Sequence, residues 1–223
     1  WLPTKLERQV MLMQSAGESV PCCLCNCTIK YNDGTRSTTF AVANLMPQLS
    51  EGLWTNPVEV LTTRCVIFNQ AIAIRRSALA VAGQFDEELP FFCEDHELSL
   101  RLAFVGPWAI IRDELVVCQD ASPDSLGQQA LRDEVRLRRD QLHVRQRILA
   151  LIAANPKYQG IKPFAMRELV RAKRQAFAAE LRRRRNLASS VAAWLLSALV
   201  RIGAGVDRRL WTYPAVAVEK LRF

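Results

Sequence analysis

The stretch Gly83-Gln84-Phe85-Asp86-Glu87-Glu88, followed at once by Phe92-Cys93-Glu94-Asp95-His96-Glu97-Leu98-Ser99-Leu100-Arg101-Leu102, constrains this chain more than any other. It sets an acidic turn directly before a short amphipathic helix and places an acidic pair at that helix's mouth. Leu98, Leu102 and Val105 recur at i, i+4, i+7 and predict one apolar stripe. Glu94 continues the stripe, and Asp95 sits beside it, where carboxylates meet the positive end of the helix macrodipole. Two roles are open to this pair. Acids in a first turn commonly cap the helix. A carboxylate held rigidly at the edge of a cleft and partly desolvated is instead fit to act as a general base toward a hydroxyl nucleophile.

Elements around this core follow from periodicity and turn chemistry. Residues 4–16 predict a helix in which Thr4 and Glu7 have capping-box spacing and Leu6, Val10 and Met13 share a face. A strand over 20–31 ends at the turn signal Asn32-Asp33-Gly34. Residues 40–57 read as a short helix inside a loop. Trp54 there is either a core anchor, the preferred reading, or a platform for a sugar ring. The apolar run 65–74 suits a strand covered on both faces. Arg75-Arg76-Ser77 then opens a helix that stops at Gly83. Arg75 and Arg76 either lie in solvent, pair with Asp86 or Glu94, or contact a diphosphate. Pairing is preferred, since no phosphate-binding loop occurs. Residues 107–118 read as an apolar strand pair around Asp113-Glu114.

The ordered series from Asn69-Gln70-Ala71-Ile72-Ala73-Ile74-Arg75-Arg76-Ser77-Ala78-Leu79 through Gly83, Phe85-Asp86-Glu87, Glu94-Asp95, Leu98-Ser99-Leu100-Arg101-Leu102 and Gly106 resembles the second half of a family-2 (GT-A fold) glycosyltransferase domain. Trp1-Leu2-Pro3-Thr4-Lys5-Leu6-Glu7 resembles the segment that follows the metal-binding Asp-x-Asp motif in that family. The likeness covers roughly residues 1–126, and several elements in order make it more specific than a lone motif.

The resemblance implies an α/β fold: a partial GT-A, Rossmann-like mixed sheet with flanking helices over 1–126, then an α-helical extension over 127–223. It implies inverting transfer of a sugar from a nucleotide-sugar donor to a hydroxyl of a glycan or lipid-linked acceptor, as in cell-surface polysaccharide synthesis. Asp95 matches the family's base and Glu94 its neighbour. Asp86 is expected to shape the acceptor loop, Arg101 to buttress the helix through a carboxylate, and Arg75, Arg76 and Trp54 to lie on the substrate side. A divalent Mg²⁺ or Mn²⁺ is implied, with ligands mostly in a nucleotide-binding front that this chain reads as lacking. The chain begins with Trp and contains no Asp-x-Asp triplet. Where the family often carries a metal-side histidine, this chain has Ser122, and a hydroxyl is a poor substitute for imidazole. An alternative follows from those departures: a non-catalytic transferase remnant acting as a membrane- or protein-interaction module.

Charge divides the chain. Residues 1–125 hold 9 Lys and Arg against 15 Asp and Glu, and residues 126–223 hold 21 against 7, which together return the net +8. The basic part predicts an anionic partner. Residues 128–153 form an amphipathic pattern with Leu131, Val135, Leu142, Leu149 and Ile152 on one side, and a second helix runs over about 163–185. Arg182-Arg183-Arg184-Arg185 precedes an uncharged run over 187–200 that contains Trp194. That run is shorter than the roughly 20 residues needed to span a bilayer. It reads either as an ordinary packed helix or as part of a segment, 182–201, lying on an anionic membrane face. Nucleic acid is disfavoured, because its motifs and interleaved aromatics are missing.

Seven cysteines with four in Cys22-Cys23-Leu24-Cys25-Asn26-Cys27, and only two histidines, argue against a disulfide framework or a zinc site. Cys23, Cys25, Cys27 and Ile29 alternate and predict buried strand thiols. Reduced thiols fit a cytoplasmic setting, at the inner face of the cell membrane if the basic helices bind there.

Overall fold

A computed structural model describes residues 1–45, 47, 50–64, 69–89, 93–119 and 132–183. The architecture is mixed α/β, a curled five-stranded mixed sheet with flanking helices and a C-terminal helical hairpin.

The sheet is organised on β1 (Cys22–Lys30). One edge of β1 takes β5 (Trp108–Gln119) in parallel. Its other edge is shared by two antiparallel strands, β4 (Ile72–Ile74) at Cys22–Leu24 and β2 (Arg36–Thr38) at Thr28–Lys30. β3 (Glu51–Trp54) closes the far side, antiparallel to β5. Every residue from Cys22 to Cys27 is buried, so β1 is covered on both faces rather than on the one face its alternation suggested. The buried-thiol reading itself holds for Cys22, Cys23, Cys25 and Cys27, all free. Burial pushes the thiols of Cys23 to about 12 and of Cys25 to about 11, so they pack as small hydrophobes rather than react.

The strand pair expected over 107–118 is one continuous strand, β5, Trp108–Gln119. The acidic Asp113-Glu114 sits at an irregularity: Cys25 pairs with Ile111, Asn26 with Glu114 and Cys27 with Val116. A bulge there lets two charged side chains leave the sheet without ending it. Asp113 binds Arg8 at 2.7 Å. The expected loop over 40–57 hides a strand, β3, whose last residue, Trp54, packs edge-to-face on Trp108 with centroids 5.6 Å apart. Such a pair contributes about 0.5–1.5 kcal/mol beyond its burial. The long strand expected over 65–74 is a three-residue edge strand, β4, preceded by a 3-10 turn at Asn69–Ala71; residues 65–68 lie outside the described ones.

α1 (Lys5–Ala16) lies across β1 and β5 with its inward face rotated by part of a turn from the one its apolar residues suggested, Met13 being common to both. Leu6 and Val10 are 48% and 47% exposed, while Lys5, at 1%, and Gln9 are buried with Met13. The sheet end needs hydrogen-bond donors more than apolar contact. Gln9 Nε2 donates to the carbonyls of Cys23 and Ala71, each at 2.9 Å, and Lys5 Nζ donates to Gln9 Oε1 at 2.8 Å. Desolvation lowers the Lys5 pKa. Thr4 makes no side-chain cap, so the expected capping box is not formed.

The remaining helices stack beside the sheet. α2 (Thr39–Val42) touches β1 and is capped by Thr38. α3 (Pro57–Thr63) and α4 (Arg76–Ala82) each pack on α5 (Glu94–Val105). Gly106 ends α5 where backbone passes closely: a Cβ there would meet Ser19 O at 2.3 Å. α6 (Glu134–Ala154) and α7 (Lys162–Arg183), joined by a 3-10 turn at Pro156–Ile161, form the hairpin. The predicted inward face of α6 is shifted: Val135, Leu137, Val144, Ile148 and Ile152 are buried, Leu142 and Leu149 only half so, and Leu131 lies outside the described residues. Val144, Ile148, Ile152 and Ala165 join the same core as the sheet residues. The expected boundary at 126/127 falls outside the described residues, and the helices beyond it share one core with the sheet region. The segment 187–200 also lies outside the described residues.

α4 ends at Gly83, at φ +85°, where a Cβ would stand 2.9 Å from Arg101 Nη1. Gly83→Ala therefore combines left-handed strain with a displaced guanidinium and is expected to cost about 2–3 kcal/mol. Gly17→Ala, at φ +93° with nothing within 4 Å, is expected to cost about 1 kcal/mol. Urea unfolding of the two variants checks this, and equal losses would refute a close Gly83–Arg101 contact.

Candidate functional site at the head of α5

The head of α5 is fixed by one guanidinium. Arg101 Nε donates to both Glu97 carboxylate oxygens at 2.9 Å, its Nη2 reaches Glu97 Oε2 and Gln84 O at 2.6 Å, and its Nη1 donates to Ala82 O. Glu97 is buried, so this pair is fork-on-fork and largely desolvated. Its consequence is positional. It ties the second turn of α5 to the last carbonyls of α4 and hence to the turn that carries Asp86. The expected buttressing role of Arg101 is what the structure shows.

At the start of α5, Cys93 adopts φ +67° as the N-cap residue, a left-handed conformation that a non-glycine residue holds only under constraint. The strained residue immediately precedes Glu94 and Asp95. Asp95 Oδ1 accepts the His96 amide at 2.7 Å, and the residue's own amide also favours the carboxylate. Ser99 Oγ donates to the Asp95 carbonyl, so the backbone of that turn is also held. Desolvation first, and then the neighbouring Glu94 charge, push the Asp95 carboxyl up to about 6. Its side chain is half-buried rather than walled off. Capping is thus a partial account of Asp95: it holds the helix amide, yet burial and Glu94 outweigh that contact.

His96, the next residue, points the other way. It is buried with Nε2 2.7 Å from Leu61 O, which requires the Nε2–H tautomer as donor. Desolvation lowers its pKa to about 4, so it is neutral and ties α5 to α3. Leu98 and Leu102 of the predicted stripe are buried, with Val105 more exposed at the helix end.

The acidic turn meets α6. Asp86 Oδ2 lies 2.8 Å from Arg147 Nη2 and 3.1 Å from His143 Nε2, and its Oδ1 accepts the Glu88 amide at 3.0 Å. Desolvation works to raise the Asp86 carboxyl, but the Glu88 amide, His143 and Arg147 together outweigh it and hold it below the usual value. Asp140, one turn before His143, is raised chiefly by desolvation, and its buried Oδ2 has no hydrogen-bond partner among the described residues.

Sequence reasoning missed His143, Arg147 and Asp140. They arrive from 57 and 61 residues away in the case of the two Asp86 partners. The available signal was modest: His143 and Arg147 stand at i and i+4 on the polar side of α6, opposite an otherwise uncompensated acidic turn.

Three expected substrate-side residues are placed elsewhere. Trp54 is 1% exposed in the core and offers no ring face to a sugar. Arg75 turns away from the acidic turn: Nε donates to Val20 O, and Nη2 donates to Met13 O and Gly17 O, at 2.7–3.2 Å. It satisfies carbonyls at the C-terminal end of α1, groups a helix cannot pair internally, instead of binding Asp86, Glu94 or a phosphate. Arg76 is exposed and forms no ion pair among the described residues. Ser122 lies outside them.

Asp86, Glu88 and His143 are the group among the described residues that brings three ligand-type atoms within 4.8 Å. They do not fit a divalent ion. The Asp86 oxygen that would face it already holds Arg147, a fixed positive charge at 2.8 Å, and Glu88 is exposed. Among the described residues no helix is long and apolar enough to cross a membrane. No family model, curated protein or solved structure matches this chain.

Asp95 makes a sign-specific prediction. A folded pKa near 6 against 3.8 unfolded means that its stabilising contribution is complete below pH 3.8 and is lost as pH rises through 6. Asp95→Asn removes that loss, so the variant is expected to be more stable than the parent by about 1–3 kcal/mol at pH 8, with the gap closing toward pH 4. Glu94→Gln is expected to move the Asp95 midpoint down. Denaturant titrations across that pH range and carboxyl NMR titration read both, and a pH-independent difference would contradict the assignment.

Proposed function

We propose that the head of α5 belongs to an inverting glycosyltransferase of the family-2, GT-A type, and that Asp95 is its general base. The observation that carries this reading is a half-buried carboxylate at a helix head, held by the His96 amide through Oδ1, with its pKa raised to about 6. Such a group is ionised at neutral pH yet basic enough to accept a proton from a hydroxyl in a transition state. Its place in the ordered motif series of residues 69–106 adds the substrate class, a nucleotide sugar with a glycan or lipid-linked acceptor.

In the proposed step, Asp95 Oδ2 takes the acceptor hydroxyl proton as the acceptor oxygen bonds to the anomeric carbon of the donor. The bond from that carbon to the phosphate oxygen breaks on the opposite side, and the electron pair leaves with the nucleoside diphosphate. Attack and departure on opposite sides invert the anomeric configuration. Glu94 keeps the Asp95 proton affinity high through like charge. Asp86, locked to Arg147, His143 and the Glu88 amide, holds the turn beside the base and is a positioning residue. A divalent cation of the Mg²⁺ or Mn²⁺ type, which the family resemblance implies, finds no fitting ligand set among the described residues, so no step is assigned to it.

The test is transfer by the complete protein against a panel of nucleotide sugars, with Mg²⁺ or Mn²⁺ supplied. Asp95→Asn is expected to lower turnover by about 10²–10⁴-fold while leaving donor binding largely intact, because the change is nearly isosteric. The parent rate is expected to climb about tenfold per pH unit below the Asp95 midpoint and level off above it. Near-normal transfer by Asp95→Asn would end the assignment.

A further inference from the structure

α7 has two unlike faces. Its inner face, Ala165, Leu169, Ala172 and Ala179, is buried against the rest of the protein. On its outer face Met166, Val170 and Phe177 are 44%, 40% and 48% exposed. Their spacing, i, i+4 and i+11, stacks them within an arc of about 40° at 3.6 residues per turn. By the same geometry Lys162 and Lys173 lie along one margin of the stripe, and Arg174 and Arg167 along the other.

The helix carries 7 Lys and Arg against 2 Glu. Both acids are engaged by arginines, Glu180 with Arg139 at 3.4 Å and Glu168 with Arg171 at 4.0 Å. Nothing among the described residues covers the stripe. The cationic run continues in sequence through Arg182-Arg183-Arg184-Arg185 into the uncharged residues 187–200.

We propose that the outer face of α7 docks on an anionic lipid surface, with Met166, Val170 and Phe177 entering the headgroup–acyl boundary and the flanking Lys and Arg meeting lipid phosphates. An apolar stripe bordered on both sides by cations matches the layered chemistry of that boundary. It does not match a nucleic-acid backbone, which presents phosphate to the cations and nothing apolar to Val170 or Phe177. An acidic protein surface would satisfy the cations and leave the stripe in water. Each Lys or Arg close to an anionic leaflet strengthens binding by about fivefold, and the buried apolar residues anchor the helix against lateral escape. This inference stands on α7 alone and does not depend on the transferase reading.

Co-sedimentation of the full chain with phosphatidylcholine vesicles, with and without phosphatidylglycerol, tests it. The parent is expected to bind the anionic vesicles, to release as salt is raised, and to ignore neutral ones. Val170→Glu with Phe177→Glu is expected to weaken partitioning about tenfold or more, and Lys173→Glu with Arg174→Glu by a similar factor. Val170, Phe177 and Lys173 are exposed and Arg174 is partly so, and unchanged thermal melting confirms that folding is intact. Leu195→Glu, in the uncharged run, is the comparison. The proposal falls if Leu195→Glu abolishes binding while Val170→Glu with Phe177→Glu leaves it whole. It falls equally if the parent binds oligonucleotide in place of vesicles, or if Val170→Glu with Phe177→Glu merely converts a self-associated species to monomer.

Discussion

The Arg101 guanidinium joins three things that the chain must hold in register: the second turn of α5, the end of α4 and the turn between them. Buried Glu97 supplies the countercharge, without which a guanidinium this far from water would be costly. Gly83 makes the approach geometrically open, since a Cβ there would stand 2.9 Å from Nη1. The acidic turn and the head of α5 therefore move as one body. Their mutual position is set by a planar fork with several directed bonds, not by apolar packing alone, which would tolerate sliding.

On that body two carboxylates nine positions apart in sequence are driven in opposite directions. Asp86 is surrounded by donors and stays a firm anion. Asp95 loses water and gains a like-charged neighbour, which its backbone amide contacts do not offset, and its titration comes near neutrality. Environment rather than residue type separates their roles, a pattern that recurs wherever paired carboxylates divide structural and proton-handling duties. The left-handed Cys93 beside them adds a second sign that the backbone is held in place at cost.

Local signals carried well from sequence to structure, and long-range ones did not. The helix ending at Gly83, the turn at Asn32-Asp33-Gly34, the head of α5 and the pairing of Arg101 with a carboxylate all depend on residues within a few positions of one another. The face that α1 buries departs from its apolar period, because the neighbouring sheet end demands donors for the carbonyls of Cys23 and Ala71, and Gln9 provides them. β3 was missed because four residues with one fully buried member leave almost no period to detect. Arg75 illustrates the same limit. Its sequence neighbours are an acidic turn and a strand, but its partners are carbonyls of α1 and the following loop, fixed only once the sheet assembles. In the candidate site, Asp95 and Glu94 were readable from the helix start, while the α6 residues that restrain Asp86 were not.

Arg145 leaves one last consequence. From the middle of α6 it donates to the carbonyls of Thr62 and Thr63, closing the C-terminal end of α3, while Val144 and Ile148 on either side of it enter the central core. The hairpin thus completes the wiring of a helix that belongs to the sheet layer. Peeling it away would strand acceptors as well as open apolar surface, two losses incurred in one event. Slow amide exchange should accordingly span α3 and α6 together, with both vanishing at a shared denaturant midpoint instead of in separate stages.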